Sequence, residues 1–154
     1  MFDSVITPVV LYGCASWALT EEMSNELKVL WRRMVRMIVG VRRRPEETWV
    51  EYNQRSTRQA ENYAKGEGHS DWPALQKTRK WRFAGKLASG SGDKWSERML
   101  SWLPWFRTIP ARSVGRPKTR WRDDIERFAG GDWQQTAEDG NMWALLQNGF
   151  TTGL

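Results

Sequence analysis

The chain has 154 residues, with 24 Lys and Arg against 18 Asp and Glu, so it carries a net charge of +6. That length suits about one domain, and a pI near 9.8 favours an acidic partner. A single cysteine, Cys14, and a single histidine, His69, exclude an internal disulfide, a structural zinc of Cys/His spacing and any Ser-His-Asp arrangement not built on His69.

The most apolar stretch, Val5 to Leu19, is preceded by Asp3, where a signal peptide would carry Lys or Arg. It is interrupted by Pro8 and Gly13 and is shorter than the roughly 20 residues of a membrane span, so it reads as a buried helix, with a strand pattern competing only over Val5 to Leu11. Thr20, Glu21 and Glu22 form an N-cap with first-turn acids. Met23, Leu27, Leu30, Trp31, Met34, Ile38 and Val41 then recur at helical spacing as one apolar face. Gly40 and Arg42 to Arg44 mark the end of that helix. From Glu46 to Ala64 a polar helix is expected to pack shallowly through Trp49, Tyr52 and Tyr63. Gly66, Gly68, His69, Ser70 and Pro73 make a loop, and Leu75 to Ala88 reads as a basic helix with Trp81, Ala84, Leu87 and Ala88 on its apolar side.

Ser89 to Asp93 is a Ser/Gly joint, followed by a short amphipathic piece over Trp95 to Trp102. Pro104, Pro110, Gly115 and Pro117 keep the next stretch extended until a helix begins near Thr119 and buries Trp121, Ile125 and Phe128. A last helix from Asp132 places Trp133, Ala137, Trp143 and Leu146 on a common face, with Gly140 as its weak point. The expected fold is all-α, a loosely packed bundle of five to seven helices. Residues 1–88 form a helical region, 89–118 a flexible, partly extended linker and 119–154 a helical tail.

Charge is concentrated in three acid-free blocks. The first holds Lys28, Arg32, Arg33, Arg36, Arg42, Arg43 and Arg44. The second holds Lys77, Arg79, Lys80, Arg82 and Lys86, and the third Arg107, Arg112, Arg116, Lys118, Arg120 and Arg122. Lys28, Arg32 and Arg36, four apart, are expected to make a stripe facing away from the apolar residues, an arrangement suited to successive phosphates. The 11 tryptophans run from Trp17 to Trp143. Trp31, Trp81 and Trp121, beside the basic blocks, have the stacking chemistry of single-strand binders, but their apolar-inward positions favour packing. Trp102 to Phe106 is expected to be an apolar patch or a docking piece. Asp123, Asp124 and Glu126 at a helix start suit the helix dipole better than a metal. No catalytic, metal or cofactor-binding set emerges.

Four pieces in order resemble the thumb and downstream region of reverse transcriptases from non-LTR (LINE-type) retrotransposons. Pro8 to Trp17, with Tyr12-Gly13 and Trp17, resembles the stretch that opens the thumb. Trp81-Arg82-Phe83-Ala84-Gly85-Lys86 resembles a family helix, with Lys86 where histidine is common. Gly115-Arg116-Pro117-Lys118-Thr119-Arg120-Trp121-Arg122-Asp123-Asp124 resembles the Gly-Arg-Pro-x-x-Arg-Trp-x-Asp block, and Trp133 to Trp143 the terminal Trp helix, with Gly140 where arginine is usual. The resemblance implies a segment downstream of the palm, whose Tyr/Phe-x-Asp-Asp metal motif this sequence does not contain. It implies a non-catalytic, intracellular role, nuclear or cytoplasmic, in holding RNA, DNA or a hybrid duplex by its backbone. The expected contact residues are Lys28, Arg32, Arg33, Arg36, Arg42, Arg43, Arg44, Lys77, Lys80, Arg82, Lys86, Arg116, Lys118, Arg120 and Arg122. Two alternatives stay open, a Trp-rich segment docking on a polymerase palm domain and a decayed remnant without selected function. No membrane partner is expected.

Overall fold

The computed structural model describes residues 2–89, 95, 98, 100 and 120–153. It is 77% helical, with seven helices and no strand among the described residues, so the all-α class and the helix number agree with the sequence. The helices are α1 (Thr7–Val10), α2 (Glu21–Val39), α3 (Trp49–Gly66), α4 (Trp72–Ser89), α5 (Asp123–Ala129), α6 (Trp133–Glu138) and α7 (Gly140–Thr152). They fall into two compact units, Met1–Tyr12 with Glu21–Leu75, and Gly13–Thr20 with Gln76–Leu154.

The apolar N-terminal stretch is not one helix. A π-helical turn, Phe2–Ile6, leads into the single turn of α1, and Cys14–Ser16 forms a separate 3₁₀ turn. Gly13 sits between them at φ 64°, a left-handed conformation that ends any helix, and Pro8 lies in the first turn of α1, where its missing N–H costs nothing. The stretch is only partly buried: Thr7, Leu11 and Cys14 are inside, whereas Val5, Val9 and Tyr12 are exposed.

In the first unit this segment docks through aromatic and polar contacts. Phe2 stacks on Trp72 at 5.8 Å with rings 8° apart. Thr7 Oγ1 donates to Asp3 and accepts from Trp72 Nε1 at 3.0 Å, and Asp3 also pairs with His69. Helix α2 starts on Glu21 and Glu22, which meet the positive end of its dipole, and stops where Gly40 takes φ 64°. Helix α3 begins three residues later than expected because Thr48 and Glu51 form a reciprocal capping box.

Helices α2 and α3 pack on one another, but not through the whole apolar face read from the sequence. Trp31 and Val35 are the buried residues of α2, opposite the buried small residues Ser56, Ala60 and Ala64 of α3. Met23, Leu30, Met37 and Ile38 remain exposed. The small residues, four apart on α3, make the flat stripe a neighbouring helix can approach closely, and the Trp31–Val35 edge fills it.

Helix α4 starts three residues earlier than expected. Asp71 Oδ1 accepts from the Ala74 N–H at 2.9 Å, and Pro73, read as a loop residue, is the second residue of the helix. In the second unit, Trp81, Ala84, Leu100, Ile125, Trp133, Ala137, Trp143 and Phe150 form the buried core, with Leu87, Trp121, Phe128 and Leu146 packed around it. The final helix of the sequence reading is two helices. Asp139 is extended and accepts from the N–H groups of Asn141 and Met142, so it ends α6 and caps α7, and Gly140 becomes the first residue of α7. The Ser89–Asp93 joint beyond Ser89, the extended 103–118 segment and the Trp102–Phe106 patch lie outside the described residues. Of the Trp95–Trp102 piece, Trp95, Arg98 and Leu100 are described and helical.

Candidate nucleic-acid interface

The described basic residues divide between the two units. In the first unit, the stripe of Lys28, Arg32 and Arg36 does not face away from the packed side. Arg32 Nε donates to Glu61 Oε1 at 2.9 Å, and Arg36 Nη1 donates to Asn53 Oδ1 at 3.2 Å. Both partners stand on α3, in the reverse order of an antiparallel pair. The stripe borders the Trp31–Val35 edge, so seating that edge on α3 brings its arginines to α3 as well. Lys28 is half-buried, and Arg33 is exposed.

Beyond Gly40 the three arginines form a structured turn. Tyr52 Oη donates to the Val41 carbonyl at 3.1 Å, anchoring the start of the turn on α3. Arg55 grips Glu47 with both prongs of its guanidinium, Nε to Oε1 and Nη2 to Oε2, each at 2.7 Å, and Nη2 also donates to the Arg42 carbonyl at 2.9 Å. The second carboxylate oxygen of Glu47 accepts the Arg44 N–H at 3.2 Å, and Arg43 donates from Nε and Nη2 to the Glu47 carbonyl. The Arg55 fork, aided by the Arg44 N–H, holds the Glu47 carboxyl down to about 2 from an ordinary 4.5. Arg42, Arg43 and Arg44 are all exposed. The result is a cationic turn whose backbone is fixed from beneath by one acid and one arginine. Neither Glu47 nor Arg55 was singled out by charge-block reasoning, because the signal lay in an acid just past the block and an arginine inside a helix read as polar.

In the second unit, Arg82 and Lys86 are exposed on α4, and Arg82 Nε donates to Gln147 Oε1 at 3.2 Å. Lys77 is half-buried, Arg120 is exposed, and Arg122 pairs with Glu126 one turn on at 3.0 Å. Arg116 and Lys118 lie outside the described residues. Lys80 must be withdrawn from the set: its side chain is 1% exposed, its ammonium bonds Asp124 at 2.8 Å, and it lies 5.4 Å from the centre of the Trp121 ring. It stands on the same side of α4 as Ala84 and points into the unit, where burial lowers its pKa and Asp124 partly offsets the shift.

The tryptophans beside the basic blocks pack. Trp31 and Trp81 are buried, and Trp121 is half-buried with Nε1 donating to the Ala15 carbonyl at 2.7 Å. Trp49 and Trp95 are exposed. Among the described residues no group of three or more His, Cys, Asp or Glu is placed to hold a metal, and no helix is long and apolar enough to cross a membrane.

Compared with protein-family models, with curated proteins and with solved structures, the chain gives no match.

Proposed function

We propose that this chain is a non-catalytic nucleic-acid-binding segment of a non-LTR retrotransposon reverse transcriptase, which grips a duplex or element RNA through its phosphates. The observation that carries this reading is the braced turn of Arg42, Arg43 and Arg44. Arginine forks suit phosphate oxygens, and a backbone already ordered by Glu47 and Arg55 loses less freedom on binding than a mobile basic loop. Arg33, exposed in the second half of α2, adds a fourth cation in the same unit. Packing in the second unit also supports the family reading. The segments that resemble the family touch one another there: Trp81 stacks on Trp143, and Trp121 Nε1 donates to the Ala15 carbonyl.

The test is a salt titration of fluorescence anisotropy with RNA, DNA and hybrid duplexes. Engagement of about six phosphates gives a slope of log K on log salt near −5, with little dependence on sequence. Replacing Arg42, Arg43 and Arg44 together by Gln lowers the slope by roughly two to three units. Binding absent at about 50 mM salt, or a triple variant that binds like the parent, overturns the proposal. Arg32→Gln with Arg36→Gln is the control: those two engage α3, so their loss destabilises the helix pair before it alters the slope.

A further inference from the structure

We infer that α2 carries a second, self-complementary face through which two copies of this chain associate as an antiparallel helix pair. Within the helix, Met23, Leu27, Leu30, Met34 and Met37 follow one another at intervals of four, three, four and three residues, the spacing of a two-stranded seam. This seam lies roughly 100° around the helix from the Trp31–Val35 edge, one residue's rotation, so packing against α3 does not use it. Leu30 is 43% and Met37 71% exposed, and Leu27 and Met34 are half-buried. Leu30 and Met37 leave large apolar surface in water along a helix that already has a packed side, the kind of patch that marks an association site.

Charge placement selects the occupant and its direction. Along one flank of the seam the first half of α2 carries Glu22 and Glu26 and the second half Arg33, whereas Lys28, Arg32 and Arg36 lie on the other side of the helix, where Arg32 and Arg36 bond α3. Parallel pairing would set this flank against the partner's Ser24–Trp31–Ile38 flank, which offers no opposite charge, and would align the dipoles, whereas antiparallel pairing sets flank on flank, acid against arginine, and opposes the dipoles. Glu26 and Arg33, both exposed, are seven residues apart and flank the same edge of the seam. With Leu27 of one copy layered on Leu30 of the other, each Glu26 meets the second copy's Arg33, and the two-fold axis makes the contact twice. Sliding by one heptad to bring Met37 onto Leu27 would instead oppose Arg33 to Arg33. The charges therefore fix both the orientation and the register, and the partner they fit is a second copy of this chain.

Sedimentation equilibrium of the nuclease-treated full chain at micromolar concentration tests this. The expected result is a mass twice the 18.0 kDa of one chain. Leu30→Gln with Met34→Gln, which keeps helix propensity, is expected to give a monomer with unchanged helix content by circular dichroism. Glu26→Arg and Arg33→Glu should each raise the dissociation constant by roughly three- to tenfold, as expected for two exposed pairs lost together, and combining them should restore it. A parent that stays monomeric overturns the inference, as does a dimer untouched by the Gln variant or a double charge swap no better than its singles. Nucleic-acid binding by a monomeric parent would leave the proposed function standing while this inference fell.

Discussion

Trp81 and Trp143 hold each other by their indoles and their backbones together. The rings stack at 3.7 Å between centroids and 7° between planes. Trp81 Nε1 donates to the Trp143 carbonyl at 2.9 Å, and Trp143 Nε1 donates to the Trp81 carbonyl at 3.0 Å. Both N–H groups are thus satisfied inside the core, where an unpaired one would cost about 1–3 kcal/mol. The arrangement brings α4 and α7 so close that a Cβ on Gly85 would fall 2.6 Å from Trp143 Nε1. Gly85→Ala is therefore expected to destabilise the protein by about 1–3 kcal/mol, although alanine is the better helix former in isolation. Urea unfolding followed by tryptophan fluorescence measures it. A stabilised variant would mean that α4 and α7 do not meet through Trp143.

Lys80 makes the second unit sensitive to its acidic partner and to pH. Asp124→Asn leaves the ammonium buried without its bonded counter-charge, with only Asp123 still acting on it. The expected loss is about 3 kcal/mol, the low end for a broken buried pair because Asp124 keeps a wet edge. The sign of the pH effect follows from the lowered pKa. The unfolded chain holds this proton more tightly, so the site disfavours folding below the folded pKa, and that penalty is relieved as pH rises through the folded value toward the ordinary 10.5. Lys80→Met should flatten this alkaline rise in stability. A Lys80→Met variant with the parent's pH profile would overturn the assignment.

The helices were legible where local signals were strong. Glu21–Glu22 and Gly40 marked α2 almost to the residue, because dipole chemistry and a left-handed stop act within one turn. Trp81, Ala84 and Ile125 were legible as core for a similar reason, as apolar positions at helical spacing. The use of α2's faces was not legible. Its apolar residues cover nearly half the circumference, and only the Ser56–Ala60–Ala64 stripe, 21 to 33 residues downstream of the Trp31–Val35 edge, decides which edge is buried. The same choice turned Arg32 and Arg36 toward α3. Lys80 was misread because a lysine among other cations carries no mark of burial until Asp124 is placed beside it.

Trp31 offers a contrast with the reciprocal pair. Its Nε1 is buried and, among the described side chains, is the one buried nitrogen or oxygen without a partner. Trp31→Phe removes that unsatisfied N–H along with part of a ring, so the two effects oppose and stability should change by less than about 1 kcal/mol. Trp143→Phe removes a made hydrogen bond as well as ring area, and should cost at least about 2 kcal/mol. Thermal or urea unfolding of the two variants side by side checks the difference. Equal losses would show that the Trp31 nitrogen is satisfied in solution.

Glu47 gives the sharpest test of whether order, and not charge alone, makes the arginine turn effective. Glu47→Gln raises the net positive charge by one, so counterion arithmetic alone predicts tighter binding to a phosphate backbone. The same substitution weakens the charge-assisted fork from Arg55 and the anchor on the Arg44 N–H, leaving the backbone of the turn to be ordered on binding. At about 1–2 kcal/mol for each residue whose backbone must be fixed, that ordering outweighs one exposed charge, and affinity should fall roughly three- to tenfold at fixed salt. The pH dependence follows the same carboxyl. With its folded value about 2 against 4.5 when unfolded, its contribution is fully present above about 4.5 and is lost as pH falls toward 2. The parent should therefore keep its turn at pH 5, and the gap between parent and Glu47→Gln should be the same at pH 5 and pH 8. Anisotropy titrations of both proteins at the two pH values measure this, and a Gln variant that binds more tightly than the parent would reduce the turn to a simple cluster of charge.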